Sequence, residues 1–114
     1  RKYFERVIHH EIFHIIHDSF KIIFDEDVWS NYNNKKFKYA ECSTCSDLLG
    51  LDLYSQTNGF LTEYSKSIAS EDMAEVFSFL MTDEIKIKNM SKKDSILLNK
   101  IKYIEKGIDK IVNF

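Results

Sequence analysis

The chain has 114 residues, which predicts one domain with a modest hydrophobic core. Its hydrophobic fraction of 44% and aromatic fraction of 14% exclude a disordered chain. A net charge of −2 without a basic face argues against a nucleic-acid partner, and no apolar run is long enough for a membrane span. The chain starts at Arg1 and a helical pattern follows at once, so we expect the C-terminal part of a longer protein.

The first half of the chain predicts one long helix followed by irregular structure. Apolar residues recur at helical spacing from Lys2 to about Phe24, without Gly or Pro. Residues 25–36 are polar and rich in Asn, which predicts a loop, and Trp29 within it is expected to be a packing anchor. Residues 37–64 show no regular period and contain turn-forming segments.

Two further helices are predicted in the second half. Ser70 is a suitable N-cap, because acidic Glu71 and Asp72 follow in the first turn, where the helix dipole favours negative charge. A last helix is predicted from about Lys92 to Val112 by an apolar stripe, and its charged residues are interpreted as a solvated face. The stripe consists of Leu97, Ile101, Ile104, Ile108 and Ile111. The predicted fold class is mainly α.

All four histidines lie between residues 9 and 17, in the predicted first helix. Residues 10–14 read HEIFH and match the pattern H-E-x-x-H. On a helix, His10 and His14 share a face, so both imidazoles can bind one zinc ion. Glu11 can then accept a proton from the attacking water and pass it to a leaving amine. The pattern also arises by chance, and a working site needs a third ligand.

The third ligand is either another histidine or a carboxylate from a second helix. His17 lies on the face of His10 one turn beyond the motif, but ligands on one straight helix surround a metal poorly, so a pocket-lining role is favoured. His9 points away from that face and is interpreted as structural. Glu71 and Glu75 share a helical face, so one could bind the metal and the other could orient a ligand histidine. Two ordinary exposed glutamates would give the same pattern.

Residues 61–83, LTEYSKSIASEDMAEVFSFLMTD, carry a resemblance that favours the metal site. They resemble the zinc metallopeptidase domain at the C-terminus of anthrax lethal factor and the related Pro-Pro endopeptidases. In that family a tyrosine stands seven residues before the ligand glutamate, and the ligand helix reads E-x-x-A-E-x-F. The same spacing is occupied here by Tyr64, Glu71, Ala74, Glu75 and Phe77.

The resemblance implies a gluzincin-type zinc endopeptidase that acts on a peptide or protein substrate and is secreted or extracellular, in a bacterium. It implies one zinc ion bound by His10, His14 and Glu71. Glu75 would be the carboxylate behind a ligand histidine, and Tyr64 would donate to the oxyanion. The implied fold is zincin-like, with an active-site helix, an irregular middle, a ligand helix and a C-terminal helix. The sheet that precedes the active-site helix in the family is not in this sequence.

Cys42 and Cys45 form a C-x-x-C pattern without the second pair that a structural zinc site needs. A βαβ context for a redox site is also not evident, so a local disulfide or two free thiols are expected. Two other functions stay open at this point. The domain could be a degenerate zincin that binds a partner without cutting it, or a helical interaction module with an accidental motif.

Overall fold

Helices provide the regular structure of the computed structural model, which describes residues 1–47, 49–54 and 57–113. No strand occurs within these ranges, so the predicted mainly-α class is confirmed. The α-helices are α1 (Lys2–Ser19), α2 (Glu26–Ser30), α3 (Ala69–Ser91) and α4 (Ser95–Val112). Short 3-10 turns occur at Ser43–Cys45 and Tyr64–Lys66.

Helix α1 ends at Ser19, earlier than the predicted end near Phe24. The backbone leaves the helical region at Phe20, with φ −132° and ψ 49°. The turn that follows places the ring of Phe24 in the core, where it is fully buried and lies edge-on to Phe13 at 5.1 Å between ring centroids. Burial of this ring explains why the chain turns although its apolar pattern continues.

The predicted loop at residues 25–36 contains the short helix α2. The Asp25 carboxylate caps this helix by accepting hydrogen bonds from the backbone N–H groups of Asp27 (2.8 Å) and Val28 (3.1 Å). Trp29 lies on α2 and is fully buried, which confirms its role as a packing anchor.

Helix α3 begins one residue before Ser70, with Ile68 at the N-cap position and no side-chain cap. The predicted cap at Ser70 is therefore wrong. The helix continues past Asp83, where the backbone is kinked with φ −142° and ψ 44°. Ile87 is fully buried, and its packing explains why the chain resumes helical structure after the kink.

Helix α4 starts at Ser95 rather than Lys92, because the Asp94 carboxylate caps it through the backbone N–H of Leu97 at 3.0 Å. The predicted stripe faces the core, as expected: the first three members are buried and the last two pack against them. Helix α3 packs against both α1 and α4, so it is the central helix. None of the described helices has the length and apolar character required to cross a bilayer.

Candidate metal centre

The packing of α1 against α3 brings together two histidines and a glutamate that are far apart in sequence. His10 Nε2 lies 3.1 Å from His14 Nε2 and 3.2 Å from Glu71 Oε1. The same Glu71 oxygen also contacts His14 Nε2. His10 and His14 come from successive turns of α1, and Glu71 comes from the first turn of α3. Two nitrogens and one oxygen therefore meet at one point.

These donor atoms fit a zinc ion by their chemistry and by the two separations measured from His10 Nε2, whereas Glu71 Oε1 and His14 Nε2 lie closer together than two ligands of one zinc ion would. Tetrahedral zinc with ligands at about 2.0–2.1 Å places neighbouring ligand atoms about 3.3–3.4 Å apart. The separations of 3.1 and 3.2 Å around His10 Nε2 lie close to that value. Imidazole lone pairs and a carboxylate oxygen are also acceptors, which repel one another unless a proton or a cation lies between them.

Glu75 holds His10 from the side opposite the cluster. His10 Nδ1 donates to Glu75 Oε2 at 3.0 Å, because a carboxylate can only accept. The other oxygen of Glu75 accepts a hydrogen bond of 2.7 Å from the Thr62 hydroxyl. When the His10 ring is neutral, this arrangement keeps the proton on Nδ1 and directs the Nε2 lone pair at the cluster, which is the tautomer that a metal ligand requires.

Electrostatic effects in the cluster favour positive charge. Burial disfavours a charged His10, but its hydrogen bonds to Glu71 and Glu75 outweigh burial and raise the pKa of His10 to about 9. Burial also acts to raise the pKa of Glu71, yet its hydrogen bonds with His10, His14 and Tyr64 hold that pKa well below its usual range. The glutamate therefore stays ionised and attracts a proton or a cation.

Glu11 and Tyr64 lie beside the cluster and line one cavity of about 230 Å³. Glu11 is exposed, and one of its carboxylate oxygens lies within 4.8 Å of a ring nitrogen of His10 and of a ring nitrogen of His14. Tyr64 is half-buried and donates its hydroxyl hydrogen to Glu71 Oε2. Burial and the Glu71 carboxylate raise the pKa of Tyr64, so the phenol remains a proton donor.

The structure places His17 in the aromatic core rather than on the wall of this cavity. It is 5% exposed and packs against Phe13 and Phe24, with ring centroids 5.8 and 6.4 Å away. Burial lowers its pKa, which favours the neutral ring. His9, interpreted as structural, is half-buried with its ring centroid 6.3 Å from that of Phe77.

Cys42 and Cys45 form a local disulfide, one of the two states expected from the sequence. Ser43 stands between them and lies close enough to Tyr64 for its side chain to act to lower the pKa of that phenol. The disulfide loop therefore contacts the residue that also binds Glu71.

Sequence reasoning missed Thr62 behind Glu75 and Arg6 in the cavity wall. Arg6 stands four residues before His10, so the helical period could have placed it on the motif face. Thr62 lies in an irregular segment, where no period indicates the direction of a side chain.

The fold and the donor cluster are those of a helical, metallopeptidase-like domain. A family model described as "Putative zinc-binding metallo-peptidase" matches residues 1–111, and the chain belongs to this family. The matched range contains the complete cluster on α1 and α3. No curated protein and no solved structure gives a significant match to the chain.

Proposed function

We propose that residues 1–114 form a single catalytic domain of a gluzincin-type, zinc-dependent endopeptidase. The observation that carries the proposal is the convergence of His10 Nε2, His14 Nε2 and a Glu71 oxygen. Membership of a zinc-binding family supports zinc as the metal. The resemblance of residues 61–83 to the lethal-factor-like peptidases supports the glutamate as third ligand.

One zinc ion would be held by His10, His14 and Glu71, and Glu75 would fix the orientation of His10. When bound, zinc supplies Lewis-acid activation of a water molecule and of the substrate carbonyl. The Glu11 side chain is exposed to solvent. It accepts the proton of the attacking water and later donates it to the leaving amine.

Tyr64 would donate a hydrogen bond to the oxyanion that forms when water attacks the peptide carbonyl. Its hydroxyl is bound to Glu71 in the free protein, and its ring belongs to the 3-10 turn before α3. Reorientation of the side chain when substrate enters would move the donor from Glu71 to the oxyanion. The local disulfide between Cys42 and Cys45 supports an extracellular setting for this chemistry.

The Glu11→Gln variant tests the proposed mechanism. The amide is nearly isosteric but cannot accept the water's proton, so hydrolysis of a peptide mixture should be lost while zinc content stays at one ion per chain. Asp18→Asn is the matched control, because Asp18 is an exposed carboxylate on the same helix. Unchanged hydrolysis by Glu11→Gln would contradict the mechanism. Loss of zinc from that variant would instead show that Glu11 is part of the metal site.

A further inference from the structure

The cavity beside the candidate metal centre has the size of a subsite for one side chain. Its volume of about 230 Å³ is below the roughly 300–1,000 Å³ of sites for drug-sized ligands. Apolar walls are provided by Val7 of α1 and by Leu49 and Leu51 of the middle segment. Glu11 and Tyr64 line the same cavity, so a side chain bound there would belong to a residue close to the reacting peptide bond.

Arg6 adds a positive charge to this cavity and is held rigidly there. Its Nη2 donates to the backbone oxygen of Leu51 at 2.6 Å. Its Cζ lies 4.3 Å from the ring centroid of Phe79 and 5.2 Å from that of Tyr3. A guanidinium fixed in this way has lost its conformational freedom before a ligand arrives, which favours binding.

No carboxylate of the described ranges forms an ion pair with Arg6. Glu75, which also lines the cavity, is 2% exposed, and its oxygens accept hydrogen bonds from His10 and Thr62. Glu11 is the other acidic residue of the lining, and the proposed function assigns its carboxylate to the attacking water. A half-buried guanidinium with spare donors is therefore available to a carboxylate from outside.

We propose that this cavity binds a substrate residue that carries a carboxylate, with Arg6 as its partner and Val7, Leu49 and Leu51 around its aliphatic part. The inference rests on the proposed endopeptidase function and adds a substrate class to it: peptides with an acidic residue next to the cleaved bond. A free C-terminal carboxylate has the same chemistry as an acidic side chain. Peptides with free and amidated C-termini distinguish these two sources.

The first experiment asks which residues the protein prefers beside the cleaved bond. The zinc-loaded protein is incubated with a degenerate peptide library in amidated and free-acid forms, and cleavage sites are mapped by mass spectrometry. Matched Glu and Gln peptides made from the preferred sequence should then differ about tenfold in kcat/KM, as expected for one charge-assisted hydrogen bond. Equal values for both peptides would overturn the inference. A preference for a carboxylate that is seen only in the free-acid library would mean that the cavity binds the C-terminus of the substrate instead of an acidic side chain.

Variants of Arg6 separate recognition from folding. Arg6→Gln keeps a donor for the Leu51 carbonyl but removes the charge, so the Glu-to-Gln ratio should fall to about one. Arg6→Lys should restore part of the ratio, because it returns the charge without the fork geometry. Arg1→Gln, at an exposed arginine that precedes the same helix, should leave the ratio unchanged. A wild-type ratio in Arg6→Gln, with zinc content and Tm intact, would assign the recognition to another residue.

A binding measurement makes the test independent of turnover. Two dipeptide hydroxamates, with Glu or Gln next to the zinc-chelating group, are titrated into the zinc-loaded protein by calorimetry. The Glu compound should bind about tenfold more tightly to the wild type, and the two should bind equally to Arg6→Gln. Equal binding of the two compounds to the wild type would overturn the proposed subsite but not the proposed metal centre. Failure of both compounds to bind zinc-loaded protein would remove the proposed metal centre and the subsite with it.

Discussion

Nδ1 of His10 lies 3.0 Å from Oε2 of Glu75, and both side chains are buried where α1 packs against α3. This bond joins the first residue of the H-E-x-x-H motif to the helix that carries Glu71. One face of α3 therefore contributes both a candidate ligand and the group that orients another candidate ligand.

Glu75→Gln should weaken zinc binding without removing it. The amide is neutral and polarises the His10 ring less, so we expect the Kd for zinc to rise by about 10- to 100-fold. Competition with a chromophoric chelator measures this change. Glu84→Gln, at an exposed position of the same helix, is the matched control. An unchanged zinc Kd would mean that the His10–Glu75 bond only joins the helices.

Tyr64→Phe should lower kcat by about a hundredfold while the ring keeps its packing, because one oxyanion donor is lost. Peptide hydrolysis at saturating zinc measures kcat, and Tm reports folding. The Tyr64 hydroxyl also donates to Glu71, so its role could be to orient that residue instead of the oxyanion. If the hydroxyl only orients Glu71, the zinc Kd rises and kcat at saturating zinc stays near the wild-type value. That outcome would remove Tyr64 from catalysis.

Lys100→Met should destabilise the fold strongly. Lys100 Nζ donates to Asp72 Oδ2 at 2.8 Å, and both side chains are fully inaccessible to solvent. Burial acts to lower the pKa of Lys100 and to raise that of Asp72, while the mutual ion pair opposes both shifts. Removing the lysine leaves a buried carboxylate without its counterion, which costs about 3–5 kcal/mol.

Urea unfolding of Lys100→Met measures this cost, with Lys102→Met, at an exposed lysine of the same helix, as the control. The double variant Asp72→Asn with Lys100→Met should be more stable than Lys100→Met alone, because no unpaired charge is left. A loss below about 1 kcal/mol in Lys100→Met would show that the pair is not buried as described.

Gly107→Ala should destabilise the protein although alanine is the better helix former. A Cβ added at Gly107 in α4 would overlap the buried ring of Phe24. Overpacking of this kind costs about 1–3 kcal/mol, more than the gain of roughly 1 kcal/mol in helix propensity. Thermal unfolding measures the difference, and Lys106→Ala, at an exposed neighbour, should change stability little. A higher Tm for Gly107→Ala would place Phe24 elsewhere.

The helical period accounts for the parts of the site that the sequence predicted. His10 with His14, and Glu71 with Glu75, are each four residues apart, so each pair shares a face wherever its helix packs. The period could not show that the two faces meet, because that depends on how α1 and α3 pack. Thr62 escaped prediction for the related reason that its contact with Glu75 depends on tertiary folding of an irregular segment.

Lys100 shows where composition misled the interpretation of α4. A lysine in a helix rich in charge is expected on the solvated face, but Lys100 stands three residues after Leu97 and one before Ile101, within the apolar stripe. Its burial depends on Asp72, and local sequence contains no sign of that partner. The cap at Asp25 could have been predicted, because an aspartate followed by two acidic residues is a local N-cap signal. The polar, Asn-rich composition of residues 25–36 indicated a loop instead.

A structure of the zinc-loaded protein, with anomalous scattering recorded at the zinc edge, would locate the metal and its ligands. We expect one zinc peak between α1 and α3, with His10 Nε2, His14 Nε2 and a Glu71 oxygen each at about 2.0–2.2 Å. A peak elsewhere, Glu75 bound to the metal in place of Glu71, or no peak after equilibration with excess zinc would contradict the proposed metal centre.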